Sequence, residues 1–179
     1  MTNLERRFPY VLVMATVLVV DQLVKWLVVR SLELHDYRSI VDGVLSLSHV
    51  RNRGAAFGIL SDADLPYQAI LFSALSLAAL LAIAVYAWRL PATARLPQSA
   101  LALILGGAFG NLVDRIRLGY VVDFVHVYWR DHQWPDFNVA DSAITIGVTL
   151  LVLDILRTPH VESPGKAELE AASPAGRIE

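Results

Sequence analysis

A chain of 179 residues that is 55% hydrophobic and only 18% charged, with a mean hydropathy of +0.50, is too apolar for a soluble domain of its size and reads as an integral membrane protein. A formal net charge of -2 without basic blocks excludes nucleic acid as a partner. Cysteine is absent, which removes thiol catalysis, disulfide scaffolding, thiolate metal sites and lipidation of the chain itself.

The first apolar run, at about 10–29, follows Arg6 and Arg7 as a signal peptide would. It is too long for one and lacks a small-residue cleavage site, so it is expected to be retained as a first span. Asp21 and Lys25 interrupt it at helical spacing with the acid first, so they share a face and can neutralise each other or reach a polar cavity. The polar connection 30–66 contains an alternating stretch, 44–48, that predicts a half-buried strand and a small sheet lying on the membrane. It continues through Asn52, Arg53, Gly54, Ala55, Ala56, Phe57 and Gly58, which locally reads as a turn followed by small residues that permit close backbone approach.

The second run, at about 67–88, holds no ionisable group inside it and closes on aromatic and basic residues suited to an interface. The short linker after it forces spans two and three to be antiparallel neighbours. In the third run, at about 98–114, Gly106, Gly107 and Gly110 form a small-xxx-small surface for close helix packing. Asn111 lies one helical turn before Asp114, with Arg115 next to it.

Residues 120–137 are rich in aromatics and read as an interfacial segment rather than a span. Asn138 is a natural helix cap for the fourth run, at about 138–157, and Asp141 falls in its first turn, where the helix dipole favours a negative charge. From 158 onward Pro, Gly, Glu and Ala dominate, the composition of a disordered tail. The expected fold is therefore an all-α membrane protein. It has four transmembrane helices in one domain, 1–157, with a small β-element and an aromatic-rich interfacial segment. Four spans place both termini on one side and the loops 30–66 and 117–137 on the other, which gathers Asn52, Asp123 and Asp141 at one face. Asp21, Asn111 and Asp114 approach the same leaflet, judged by the helical rise.

Asp123 and Asp141 carry the chemical expectation. Two carboxylates brought close in apolar surroundings cannot both ionise cheaply, so one keeps its proton as an acid while the other takes a proton from water. That is the means by which aspartic proteases cut peptides. A small proton-coupled transporter is the alternative, since intramembrane Asp, Lys and Asn also mark ion paths, although no span is discontinuous. A metalloprotease built on His49, His126 or His132 lacks the helical His-Glu-x-x-His pattern.

Five motifs, in order and in register, resemble one family. They are Asp21 with Lys25; Asn52-Arg53-Gly54-Ala55-Ala56-Phe57; Gly106-Gly107-Ala108-Phe109-Gly110-Asn111-Leu112-Val113-Asp114-Arg115; Val122-Asp123-Phe124; and Phe137-Asn138-Val139-Ala140-Asp141-Ser142. Over about 10–157 the chain resembles lipoprotein signal peptidase, the bacterial signal peptidase II. The resemblance implies a four-helix aspartic endopeptidase of the inner membrane. Its termini and the tail 158–179 would be cytoplasmic, and its β-element and active site would face the periplasm. Separately, the chain is expected to act as a monomer. The resemblance also implies a prolipoprotein substrate already carrying diacylglycerol on a cysteine, cut just before that cysteine by a dyad that matches Asp123 and Asp141. It further implies that Asn52, Gly54, Asn111, Asp114, Arg115 and Asn138 hold substrate backbone or orient the dyad, with Asp21 and Lys25 supporting the site. No metal or organic cofactor is implied; membrane lipid is the other partner. Acyl chains buried in the bilayer would hold the scissile bond at one depth.

Overall fold

The computed structural model describes residues 2–54 and 67–157. Ala55, Ala56, Phe57 and Gly58 and the tail from 158 lie outside the described residues. Four helices are long and apolar enough to cross a membrane: α1 (Asn3–Ser31), α2 (Gln68–Arg89), α3 (Arg95–Leu118) and α4 (Val139–Arg157). Each helix coincides with one expected span; α1 and α3 run beyond the expected bounds, and α2 and α4 lie within a residue of them. α1 starts well before residue 10 because Thr2 and Glu5 form a capping box, Thr2 Oγ1 accepting from the Glu5 amide at 3.2 Å and Glu5 Oε2 from the Thr2 amide at 2.8 Å. A helix needs hydrocarbon-matched residues only where it meets hydrocarbon, so its polar first turns are invisible to a hydropathy argument. α3 likewise runs past residue 114 to Leu118, where Gly119 adopts φ 80° and ends it.

α3 is the buried centre, with α1, α2 and α4 packed around it. The small-residue surface serves two neighbours: Gly106 lies against Met14 of α1, and Gly107 against the Ala140 carbonyl of α4. A Cβ at Gly107 would collide with that carbonyl, one residue before Asp141. Gly107→Ala is therefore expected to push the start of α4 outward, costing about 1–3 kcal/mol of stability and lowering turnover with it. A thermal melt together with a cleavage assay checks this, and an unchanged melt would show that the helix pair is not tightly seated there.

The expectation of an all-α chain with a minor β-element understates the sheet. β1 (Tyr37–Val41), β2 (Leu45–Asn52), β3 (Val121–Trp129) and β4 (His132–Gln133) form one antiparallel sheet in that order. The predicted strand at 44–48 is the first half of β2, but its faces are the reverse of a simple apolar-in pattern. Ser46 and Ser48 are buried, and Ser48 Oγ donates to Asp136 Oδ1 at 2.7 Å. The segment 120–137, read as interfacial rather than spanning, supplies β3 and β4. Val121, Val122, Asp123 and Phe124 are all buried, so both faces of the strand are covered there and the two-residue period is lost.

Candidate functional site

The site is built where β3, having paired with β2, turns back and feeds α4. Arg130 takes a left-handed φ of 53° at the β3–β4 turn, and the returning chain bridges Val125 at Phe137. The amides of Phe124 and Val125 both donate to the Phe137 carbonyl, at 3.0 and 2.8 Å. This fixes Asn138, the next residue, beside Asp123, and α4 begins there. Asn138 caps α4 as its sequence predicts: Oδ1 accepts from the Asp141 amide at 2.9 Å, and Asp141 Oδ2 accepts from the Asn138 amide at 3.2 Å. Asn138 Nδ2 meanwhile donates to Asp123 Oδ1 at 2.6 Å. Asn138 thus ties the two acids together, its side-chain amide on Asp123 and its backbone amide on the Asp141 carboxyl.

Three other polar side chains complete their surroundings. Asn52 lies opposite Val121 in the β2–β3 ladder, which puts it diagonal to Asp123 on the same face. Its Nδ2 donates to Asp123 Oδ2 at 3.1 Å, while its Oδ1 accepts from the Gly54 amide at 2.9 Å. The turn reading of Asn52-Arg53-Gly54 is therefore right, and the turn is also what aims the Asn52 amide at the carboxylate. Asn111 Nδ2 donates to Asp141 Oδ1 at 2.8 Å. Arg115 donates to the Gly54 carbonyl at 3.1 Å, rather than pairing with its neighbour Asp114.

Beneath these lies a buried ionic layer. Lys25 Nζ contacts Asp21 Oδ2 at 2.8 Å and Asp114 Oδ2 at 2.9 Å, and donates to Asn111 Oδ1 at 3.0 Å. Each acid also takes a backbone amide: Asp21 Oδ1 accepts from Ala140 in the first turn of α4 at 2.9 Å, and Asp114 Oδ2 from Val122 of β3 at 3.1 Å. The layer joins α1 and α3 to the two elements that carry Asp123 and Asp141. Asp21 and Lys25 thus neutralise each other and also join the polar layer under the site. Gln22, which the sequence reading passes over, belongs here too, donating to Asp114 Oδ1 at 2.9 Å and to the Gly110 carbonyl at 3.2 Å. A Gln beside an Asp in the middle of an apolar run is the signal for it.

Asp123 is 2% exposed. Burial pushes its carboxyl up from the ordinary 3.8 to about 7, and the charge of Asp141 pushes the same way against the amides of Asn52 and Asn138 and the Lys25 charge. Asp141 is part-exposed and lines a cleft of about 410 Å³ between α2, α3 and α4, with Asn52, Asn111 and Arg115 around it and Phe72, Leu75 and Ile144 as apolar wall. A carboxyl that holds a proton near neutrality beside a second carboxylate on a cleft wall can run acid and base chemistry on one bond. The histidines are elsewhere: His49 Nδ1 lies 3.0 Å from the Leu32 carbonyl and His126 Nδ1 3.1 Å from Asp136. Among the described residues no group of three or more His, Cys, Asp or Glu is placed to hold a metal ion.

The family model described as signal peptidase (SPase) II matches residues 13–157. The lipoprotein signal peptidase of Geobacter metallireducens is 49% identical over 85% of this chain and 93% of that protein. That of Geobacter sulfurreducens is 47% identical over 82% of this chain and 91% of that protein. Among solved structures, a bacterial membrane enzyme determined by the in meso method at 2.3 Å resolution superposes with a TM-score of 0.74 at 30% identity, covering 87% of this chain and 94% of that one.

Proposed function

This chain belongs to the signal peptidase II family, a multi-pass membrane protease that removes signal peptides from prolipoproteins, and from that premise we propose that it works as an aspartic endopeptidase with Asp123 and Asp141 as the catalytic pair. The observation that supports the reading is that Asn138 serves both carboxyls, its side-chain amide donating to Asp123 and its backbone amide to Asp141, with Asp141 on the wall of the cleft and Asp123 buried behind it. The proton-coupled transporter gives way to this family membership.

Asp123 holds the proton, because burial disfavours its charge. Asp141 sits at the amino end of α4, where the helix dipole favours an anion. Asp141 takes a proton from a water lying between the pair as that water attacks the scissile carbonyl, and Asp123 protonates the carbonyl oxygen. When the tetrahedral intermediate collapses, the proton on Asp141 passes to the leaving amine and Asp123 recovers its own from the intermediate's hydroxyl. Asn52, Asn111 and Asn138, whose amides donate to the two acids, orient the pair, and Arg115 on the cleft wall, steadied by the Gly54 carbonyl, holds the substrate backbone. The cleft lies between helices with apolar outer surfaces, so the signal peptide approaches from the bilayer. The acyl chains of a diacylglyceryl cysteine fix the bond just before that cysteine at the depth of the pair. The termini are cytoplasmic and the sheet with the site faces the periplasm of a bacterial inner membrane, with the chain acting as a monomer.

Two measurements follow. Purified protein given a diacylglyceryl precursor peptide and its unlipidated twin is expected to cleave before cysteine in the first only; equal cleavage of both would remove the lipid from the argument. The pH profile follows from Asp123. Its folded value is raised, so the protonated form persists up to about pH 7 and is lost above it. kcat/KM is expected to fall tenfold per pH unit beyond that point. The same sign makes folding stability decline between the ordinary carboxylate range and about pH 7. An activity plateau extending to pH 9 would show that Asp123 does not work as the acid.

A further inference from the structure

The end of the bundle remote from Asp123 and Asp141 carries a second constellation that catalysis does not use. α1 and α2 both pack on α3 but barely touch each other, leaving an apolar groove of about 180 Å³ lined by Val11, Met14, Ala84, Trp88, Ala102 and Leu105. A void of about 150 Å³ already accommodates a benzene-sized apolar group. At the mouth of the groove two open clefts, of about 550 and 610 Å³, share Arg6 and Thr93; Arg89 borders one and Arg95 the other.

The charge here is one-sided. Arg7 lines both the groove and the first cleft, and its guanidinium donates to the carbonyls of Ala87, Trp88 and Leu90 at 3.1, 3.0 and 2.8 Å. Its Nε is buried with no partner among the described residues. Those bonds close the end of α2 but leave the positive charge without a counter-ion. Among the described residues none of Arg6, Arg7, Arg89 and Arg95 is in an ion pair, and the one acid on these clefts, Glu5, is engaged by the Thr2 amide. Uncompensated cations at the rim of a hydrocarbon-facing groove call for an amphiphile with an anionic head.

We propose that this end of the bundle binds one anionic glycerophospholipid, its phosphodiester among Arg6, Arg89 and Arg95 and an acyl chain in the groove between α1 and α2. Free phosphate satisfies the clefts but not the groove, and a zwitterionic lipid satisfies the groove but brings its own cation to the arginines.

The test uses the full chain purified in neutral detergent, with dioleoyl phosphatidylglycerol, dioleoyl phosphatidylcholine and glycerol 3-phosphate as separate probes. Phosphatidylglycerol well above its dissociation constant is expected to raise the unfolding midpoint by about 5 °C and to survive as a single adduct in native mass spectrometry. The other two probes are expected to do neither. The exposed-residue variant Arg6→Gln/Arg89→Gln/Arg95→Gln is expected to lose the response while still cleaving substrate, and Ala84→Phe, which fills the groove with the arginines intact, to lose it as well. Equal shifts with both lipids, the whole shift with glycerol 3-phosphate, or a response retained by the triple variant would overturn the proposal. Asp123→Asn is expected to keep the lipid response, so failure here and failure of the proteolytic reading are told apart.

Discussion

Asp123→Asn and Asp141→Asn are each expected to leave a folded, membrane-inserted protein that no longer cleaves prolipoprotein, with turnover lowered by about 10,000-fold or more. The magnitude follows from the coupling of the pair: with one member unable to accept or release a proton, the other has no partner through which to restore its state, and the two lesions do not add. Folding should survive because amide and carboxylic acid are near-isosteric. Asp123 already favours its neutral form. In Asp141→Asn the side-chain oxygen that remains can still accept one hydrogen bond, from the Asn111 side chain or the Asn138 backbone amide that Asp141 engages in the parent. Unfolding midpoints within about 5 °C of the parent are expected. The informative comparison is activity against melting in the same preparation. Substantial cleavage by either variant would sink the assignment, whereas loss of both activity and fold would assign the residue to structure.

Lys25→Met is expected to have the largest effect on stability. The ammonium of Lys25 contacts Asp21, Asp114 and Asn111 at 2.8, 2.9 and 3.0 Å, and both acids are buried, at 0% and 3% exposure. Removing the cation leaves two carboxylates facing each other without a counter-charge; breaking a buried pair from one side costs about 3–5 kcal/mol, or about 10 °C in midpoint for a chain of this size. Activity should fall too, because Asn111 loses the contact that orients its amide toward Asp141. Adding Asp114→Asn to Lys25→Met removes one of the stranded charges and is expected to recover part of the midpoint. A Lys25→Met protein that melts like the parent would mean that the layer beneath the site contributes little to holding it.

Much of this arrangement is legible along the chain because hydrocarbon punishes polarity. Asp21, Lys25, Asn111 and Asp114 stand out against apolar runs, and the structure finds all four in one network. Asn138 announces itself as a cap by type and position, and it is one. Other features are hidden from the sequence for identifiable reasons. The first turns of α1 lie in polar sequence, so no hydropathy window marks them. β3 is buried along its first four residues and part-buried along the next four, which erases the alternation by which a half-solvated strand is recognised. Arg115 looks like the partner of Asp114, but Lys25 holds that acid and Arg115 reaches the Gly54 carbonyl. Adjacent helical residues point in different directions, so the choice lies with whichever helix packs nearby.

By itself the sequence determined that the chain crosses a membrane several times and which of its residues are too polar to sit there without a reason, because transfer to hydrocarbon is a property of each residue and its near neighbours. Only the tertiary structure decided that Asp123 and Asp141 both bond to Asn138. That arrangement depends on the bridge from Phe137 to β3 and on the ionic layer that seats α4 against α1 and α3, and neither is encoded in any local window, since both join residues far apart along the chain.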